Sequence, residues 1–305
     1  MPLIGAHVSI AGGMENAPVS AGAEGCECFQ MFTRSPRGGA APPLTDAIVR
    51  QFRDACAQHG FSTWVVHTPY YINLASERPV VRAAGSRIIR EELERASALG
   101  ARYVMTHLGS TKAVGEERGV QLAIEGIADA LSGYTGSAEF LIEIAAGAGA
   151  VLGDTFEEIA TIIAGAESLS FRPSPRAEKS RSAEEISRLE DSLEMTKGIG
   201  VCFDTQHAFA SGYDLRTTAD VDRVLREFDA TIGLDRLCMS HVQDSKVEIG
   251  ANRDRHEHVG DGAIGADGLR AFVRHPAIAD LPLILETQPE KRARDIAMLK
   301  AFRDA

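Results

Sequence analysis

The chain has 305 residues, of which 44% are hydrophobic and 25% charged, the composition of a soluble globular protein that can bury a full core. Its formal net charge of −11 argues against a generally basic nucleic-acid-binding protein, although bound metal ions or a local basic patch could still support binding to phosphate. We find no secretory signal and no apolar run near the ~18 residues of a membrane span, and the five cysteines lie mostly in apolar runs, which favours a cytoplasmic protein without a membrane partner.

Apolar runs that predict buried strands alternate with amphipathic segments that predict helices. The predicted strands are 3–9, 28–32, 63–67, 103–107, 140–145, 200–204, 237–242 and 282–287. The predicted helices between them include 44–59, 80–99, 116–131, 155–164, 217–231 and 290–303. Eight strands, each followed by a helical stretch, predict an α/β fold, a single (β/α)8 TIM barrel with its active site at the C-terminal ends of the strands.

One segment interrupts this alternation. Residues 166–197 are polar and charged and contain Pro173 and Pro175, so we interpret them as an insertion between the fifth helix and the sixth strand of a single domain spanning 1–305. Within the insertion, 173–182 are expected to form a mobile loop and 183–195 a short solvent-exposed helix. Because helix-to-strand connections lie opposite the active site, we expect no catalytic role for the insertion.

Histidines and carboxylates stand at the ends of the third to eighth predicted strands or in the loops that follow. They are His67, His107, Glu143, Asp204, His207, His241, Asp254, His256 and Glu286. Parallel barrel strands end at one face, so these side chains are expected to converge there. Taken singly, each has the simpler interpretation of a polar residue that ends a strand. Nine of them at one face are much harder to explain in that way.

These five imidazoles and four carboxylates, with no thiolate, favour zinc or manganese. One zinc ion usually takes four ligands, so nine ligands with a bridging carboxylate suit two or three metals. Four converging carboxylates would repel one another without positive ions between them. We find no Ser–His–Asp or Cys–His arrangement, and metal-activated hydrolysis needs none. Among the other histidines, His7 is expected to support the ligands, whereas His59 and His275 are not expected to bind metal.

Six stretches of the chain resemble the signatures of the endonuclease IV family of abasic-site endonucleases. They are GAHVSIAGG, CFQMFTRSPR, TPYYINLAS, GVCFDTQHAFASGYDLRT, DRHEHVGDGAIG and PLILET, and the match runs from about residue 3 to about residue 290. The family is a (β/α)8 barrel with a trinuclear zinc site. The resemblance therefore implies three Zn2+ per chain, with Mn2+ as a partial substitute.

The resemblance also implies a role for each ligand. His67 and His107 would bind one zinc, and Glu143 would bridge it to the second. Asp204, His241 and Glu286 would complete the second site, and His207, Asp254 and His256 would hold the third. Glu143, bridging the metals that carry the nucleophilic hydroxide, and Glu286 would be catalytic. The implied reaction cleaves the phosphodiester 5′ to an abasic site in double-stranded DNA, leaving a 3′-hydroxyl and a 5′-deoxyribose phosphate, and the family also trims blocked 3′ ends.

Contact with DNA is expected from loops on the same face, because the overall charge is adverse. The candidates are Arg34, Arg37, Tyr70, Tyr71, Lys112, Lys246 and Arg253. In the family, residues that match Arg37, Tyr70 and Tyr71 enter the duplex beside the extruded sugar. The chain departs from the family at Gly39, Ile144, Ala148, Gln243 and Asp261, and these departures concern rate and lesion preference more than reaction class.

Two other functions stay open at this point. A sugar isomerase or epimerase uses a related barrel with a two-metal site, but it would leave the set His207, Asp254 and His256 unexplained. The other is a lesion-binding protein that has lost turnover, against which the intact ligand set argues and which Gly39, Ile144 and Ala148 leave open. By default we expect a monomer.

Overall fold

The computed structural model describes residues 1–170 and 198–305. Its strands are β1 (Leu3–His7), β2 (Cys28–Met31), β3 (Trp64–His67), β4 (Tyr103–Thr106), β5 (Glu139–Glu143), β6 (Gly200–Asp204), β7 (Leu237–His241), β8 (Asp244–Ser245), β9 (His256–Glu257) and β10 (Pro282–Leu285). Eight of them pair in parallel and close a barrel in the order β1-β10-β7-β6-β5-β4-β3-β2. This confirms the predicted (β/α)8 barrel. The short strands β8 and β9 form an antiparallel hairpin outside it.

Helices cover the outside of the barrel. They are α1 (Asn16–Ala23), α2 (Asp46–Gln58), α3 (Pro79–Leu99), α4 (Glu116–Leu131), α5 (Phe156–Ser170), α6 (Thr205–Ser211), α7 (Thr218–Thr231), α8 (Gly265–Arg274) and α9 (Pro289–Asp304). The sequence predictions did not include α1, α6, α8 or the hairpin. Within the described part of the chain, no helix combines the length and the apolar character needed to span a membrane.

The predicted insertion needs one correction where it begins. Helix α5 continues to Ser170, with Ala166 fully buried, so residues 166–170 belong to the helix and not to the insertion. Ala166 lies one helical turn after Ile162 and Ile163 on the buried face of α5, so the helix continues past the predicted boundary. The loop predicted at 173–182 and the helix predicted at 183–195 lie outside the described residues.

The barrel interior consists of an apolar layer with a polar layer above it. The apolar layer is a separate cluster of Cys28, Val65, Tyr103, Met105, Leu141, Cys202, Met239 and Ile284. Side chains alternate along a strand, so the residue two positions later points the same way. Two positions after six of these lie His67, His107, Glu143, Asp204, His241 and Glu286. The candidate ligands are therefore the next inward-facing layer, at the C-terminal ends of the strands.

Small residues allow close packing in this interior. Gly5 of β1 is required by space, because a methyl group there would overlap the carbonyl oxygen of Cys28 in β2. All five cysteines are free thiols. Burial raises the pKa of Cys202 to about 12, so this cysteine behaves as a small apolar side chain.

Candidate metal centre

Three overlapping groups of imidazoles and carboxylates occupy the polar layer. The groups are His67–His107–Glu143, Glu143–Asp204–His241–Glu286 and Asp204–His207–His256, and in each the ligand atoms lie within 4.8 Å of one another. Glu143 belongs to the first two groups and Asp204 to the last two. The side chains predicted from the strand ends are therefore brought together at one face of the barrel.

Glu143 joins the first group to the second. Its Oε2 lies 3.1 Å from Nε2 of His67 and 3.3 Å from Nε2 of His107. Its Oε1 lies 2.8 Å from Nδ1 of His241. The two oxygens of one buried carboxylate thus face two different groups, which is the arrangement of a bridging ligand.

Asp204 joins the second group to the third. Its Oδ2 lies 3.5 Å from Nδ1 of His241 and 3.8 Å from Nε2 of His256. Its Oδ1 accepts a hydrogen bond of 2.8 Å from the backbone N–H of His207 and so caps helix α6, which begins directly after β6. The resemblance placed Asp204 in the second site alone. The geometry also brings it to the third.

Asp254 completes the third group from the loop between β8 and β9. Its Oδ1 lies 3.2 Å from Nε2 of His256 and 3.5 Å from Nε2 of His207. Its side chain is 56% exposed, whereas those of His207 and Asp204 are 3% and 0% exposed. Asp254 is therefore close enough to contribute, but it approaches from the solvent side.

Three imidazoles are oriented by a hydrogen bond on one ring nitrogen, while the other ring nitrogen lies close to a carboxylate of the cluster. His67 Nδ1 lies 2.6 Å from the carbonyl oxygen of Thr68, and His207 Nδ1 lies 2.9 Å from that of Ile144. His241 Nε2 lies 2.7 Å from Oε1 of Gln30. When the hydrogen-bonded nitrogen donates its proton to such an acceptor, the other nitrogen presents a lone pair, as metal-binding histidines do.

Two glutamines orient the carboxylates. Gln30 donates through Nε2 to Oε1 of Glu286 at 2.6 Å, and His7 Nδ1 lies 2.8 Å from the same amide nitrogen. Gln243 donates through Nε2 to Oδ2 of Asp204 at 2.5 Å. Gln30 was not among the predicted site residues, although its position two after Cys28 was a usable signal. His7 lies beside Glu286, as expected of a supporting residue.

The electrostatics of the cluster call for positive charge. Burial alone would raise the pKa of Glu143, but the imidazoles of His107 and His241 hold it well below its ordinary value. Burial alone would lower the pKa of His207, but Asp204 and the neighbouring carboxylates raise it to about 10. Without another cation, the imidazoles must take up protons to balance the buried carboxylates.

This donor set fits divalent metal ions. It consists of imidazole nitrogens and carboxylate oxygens, and Nε2 of His207 and Nε2 of His256 lie only 3.4 Å apart. Two protonated imidazoles at that distance would repel each other, whereas a shared cation would attract both. Such mixed nitrogen and oxygen ligands suit zinc or manganese.

An open cleft of about 540 Å³ leads to the cluster. His107, His207, His256 and Glu286 lie at its base, and Phe32, Tyr70, Lys246 and Arg255 are among the residues that line it. Tyr70 is 62% exposed, and its ring lies 5.6 Å from the His67 ring between centroids. The cleft therefore has candidate metal ligands at its bottom and aromatic and basic groups at its mouth.

The predicted DNA contacts divide into exposed residues and one exception. Arg37, Tyr70, Tyr71, Lys112, Lys246 and Arg253 are exposed on loops that follow strand ends. The prediction for Arg34 was wrong, because its side chain is only 4% exposed and its Nε lies 2.5 Å from Oε1 of the buried Glu92. A buried arginine paired with a buried carboxylate is not available to phosphate.

Two of the remaining histidines and one departure from the family pattern lie away from the cluster. His59 ends helix α2, and His275 Nε2 lies 3.4 Å from Asp222 on the outer surface. Asp261 pairs with Lys291 and Arg294 and does not join the three groups. Sequence reasoning missed Gln206, which binds the loop between β8 and β9, and Asp244, whose carboxylate accepts from the backbone N–H of Ile264 after β9.

Comparison with known proteins supports the fold. The family described as a xylose isomerase-like TIM barrel matches residues 20–173 and 169–302. Probable endonuclease 4 of Haloarcula marismortui is 38% identical over 292 residues, covering 95% of this chain and 94% of that protein.

Among solved structures, endonuclease IV from Thermus thermophilus superposes with a TM-score of 0.81 and 31% identity over 99% of both chains. A D-tagatose 3-epimerase-like protein superposes with a TM-score of 0.66 at 16% identity over 99% of this chain and 97% of that one. At that identity the second likeness concerns the fold alone.

Proposed function

This chain belongs to the endonuclease IV family, and from that premise we propose that it is a zinc-dependent DNA repair endonuclease. The proposed reaction hydrolyses the phosphodiester 5′ to an abasic site, leaving a 3′-hydroxyl and a 5′-deoxyribose phosphate, with trimming of blocked 3′ ends as a second activity. The observation that carries the proposal is the set of three ligand groups linked through Glu143 and Asp204. One phosphate can be approached from several sides by ions held in this way.

The proposed zinc ligands follow the three groups. His67 and His107 would hold one ion, His241 and Glu286 the second, and His207, Asp254 and His256 the third, with Glu143 and Asp204 as bridges. When bound, the ions supply Lewis-acid stabilisation of charge on the phosphate and lower the pKa of the attacking water. The count of three and the choice of zinc, with manganese as a partial substitute, are part of the proposal.

The side chains around the ions have separate tasks. Gln30 and Gln243 fix Glu286 and Asp204 through hydrogen bonds, so the carboxylates reach the ions without rearrangement. Tyr70 and Tyr71 stand exposed at or beside the mouth of the cleft, where aromatic rings can occupy the gap left by a displaced nucleotide. Lys246 lines the same cleft and can neutralise a phosphate.

The proposed partner is double-stranded DNA with abasic sites or blocked 3′ ends, bound by a monomer in the cytoplasm. The third ligand group disfavours a sugar epimerase, because a two-ion site would give His207, Asp254 and His256 no task. The groups also disfavour a protein that binds lesions without cleaving them, because such a protein has no need of several ions that activate water.

The test is incision of a duplex oligonucleotide that carries one abasic-site analogue. We expect the zinc-loaded chain to cut 5′ to the lesion and EDTA to abolish the cut. Glu143→Gln should reduce incision by more than the roughly 100-fold that loss of an outer hydrogen-bond partner costs, because it removes a bridging ligand. Glu139→Gln, at the other end of β5, is the matched control and should cut normally.

Three results would contradict the proposal. They are incision that survives EDTA, lesion DNA that is bound but left uncut by the zinc-loaded chain, and near-normal incision by Glu143→Gln. Turnover of a ketose sugar in place of DNA would support the epimerase.

A further inference from the structure

Asp254 differs from the other candidate ligands in how it is held. Its side chain is 56% exposed, more than that of any other candidate ligand, and it comes from the loop between β8 and β9. An exposed carboxylate on a loop loses conformational freedom when it binds an ion. Its position beside His207 and His256 therefore has to be fixed by the backbone on either side of it.

Gln206 binds that backbone on both sides. It is fully buried in helix α6, directly before His207. Its Nε2 donates to the carbonyl oxygen of Arg253 at 3.0 Å, and its Oε1 accepts from the backbone N–H of Arg255 at 3.2 Å. The two groups belong to the residues directly before and after Asp254. One side-chain amide thus spans the backbone of this ligand.

The orientation of the amide is fixed by a third contact. Gln206 Nε2 also donates to Oγ of Ser245 in β8 at 3.3 Å. Both amide protons and the amide oxygen are therefore used. A carboxylate at this position would lose both donors and face the Arg253 carbonyl with a second acceptor, and a thioether would lose all three hydrogen bonds.

The rest of the loop also lies on helix α6. The backbone N–H of Gly250 donates to the carbonyl oxygen of Phe209 at 3.1 Å, and that of Asn252 donates to the carbonyl oxygen of Ala210 at 2.9 Å. The same helix carries His207. The helix and the loop therefore form one unit that brings His207 and Asp254 together.

We infer that Gln206 is a positioning residue for the third metal site, which it builds by fixing Asp254 against His207. This inference rests on the proposed function, because it assigns Gln206 to one of the three proposed ions. The expected effect is confined to one ion. Changes at Gln206 act on the ion held by His207, Asp254 and His256 and leave the ions near His67 and His241 in place.

The experiment measures metal binding in addition to incision. Zinc content after dialysis, zinc affinity by chelator competition and thermal unfolding with and without zinc are compared for wild type, Gln206→Met and Gln206→Glu. Both variants keep the size of the side chain, and Glu keeps its polarity in case Met disturbs folding. Ser211→Ala is the matched control, because it removes a hydrogen bond of 2.8 Å from the same helix to Ala145 and does not touch the loop.

We expect wild type and Ser211→Ala to hold three zinc ions, and both Gln206 variants to bind one of the three about 10- to 100-fold more weakly. The zinc-induced rise in melting temperature should be smaller in the two Gln206 variants, because the weakened ion no longer contributes its part of that rise. Three ions held with unchanged affinity would overturn the inference, as would a lower melting temperature without zinc and an unchanged rise with it. A wild-type chain with fewer than three ions would instead contradict the proposed function.

Discussion

Arg34 and Arg37 lie three residues apart in the same loop, yet the structure gives them different tasks. Arg34 is buried against Glu92, and Thr33 donates to the other oxygen of that carboxylate at 2.6 Å. Arg95 binds the same loop through the carbonyl oxygens of Thr33 and Pro42. Arg34 therefore belongs to a charged network that fastens the loop, while Arg37 is exposed on it.

Replacement by methionine should affect fold stability at Arg34 and DNA binding at Arg37. Arg34→Met leaves the carboxylate of Glu92 buried without its main partner, so we expect the free energy of unfolding to fall by about 3–5 kcal/mol. Arg37→Met should leave that free energy nearly unchanged and weaken DNA binding, with a salt-dependence slope smaller by about 1. Urea unfolding and binding at several salt concentrations measure both effects. A stable Arg34→Met chain with weakened DNA binding would reinstate Arg34 as a phosphate contact.

The ligand-bearing strand ends could be predicted from the sequence because each ligand follows an apolar run at an even spacing. What could not be predicted depends on contacts between distant segments. The burial of Arg34 requires Glu92 to face it from helix α3, and the sharing of Asp204 requires His256 to fold back over β6. Gln206 gives no periodic signal, since its partners are backbone atoms of another loop.

At the scale of elements, the barrel strands and the long helices were predicted to within a few residues, except that α5 ends at Ser170 and not at residue 164. The missed elements are short. Helix α1 is rich in small residues and has no clear apolar period. Helix α6 begins directly after β6, so Asp204 both ends the strand and caps the helix. The hairpin strands are two residues each, too short for alternation to be visible.

Glu27 joins the two ends of the chain. Its Oε2 lies 2.6 Å from Nη1 of Arg303 in α9 and accepts from the backbone N–H of Ile4 in β1 at 3.0 Å. Lys300 lies 3.4 Å from its other oxygen. Burial alone would raise the pKa of Glu27, but the hydrogen bonds from Arg303 and Ile4 bring it below its ordinary value of 4.5.

A lowered pKa in the folded state means that ionised Glu27 stabilises the fold above the ordinary pKa and that this contribution is lost as the pH falls through the folded pKa. Glu27→Gln should therefore lower the free energy of unfolding by up to about 1 kcal/mol at neutral pH, since the pair is partly exposed. The difference from wild type should vanish in acid. Thermal unfolding across pH measures it, with Glu94→Gln on the exposed side of α3 as control. A difference that persists in acid would show that the contact is not electrostatic.

At the scale of the whole molecule, a net charge of −11 has to be reconciled with binding to DNA. Four of the acidic groups, Glu143, Asp204, Asp254 and Glu286, lie in the site, where bound ions would reverse the local charge. Three divalent ions would change the formal charge from −11 to about −5 and would place the added positive charge at the base of the cleft. The metal centre would then serve both for hydrolysis and for attracting the phosphate backbone.

Removal of the ions should therefore weaken DNA binding itself and not only cleavage. We expect the chelated chain to bind a lesion duplex with a non-hydrolysable charged phosphate analogue more weakly than the zinc-loaded chain. The gap should be widest at low salt, because exposed charges are screened within a Debye length of about 10 Å at 0.1 M salt. Fluorescence anisotropy across a salt titration measures the effect, with an undamaged duplex as the matched control. Equal affinities for the lesion duplex with and without zinc at every salt concentration would show that phosphate attraction comes from the loops alone, because only a phosphate that enters the cleft can sense ions at its base.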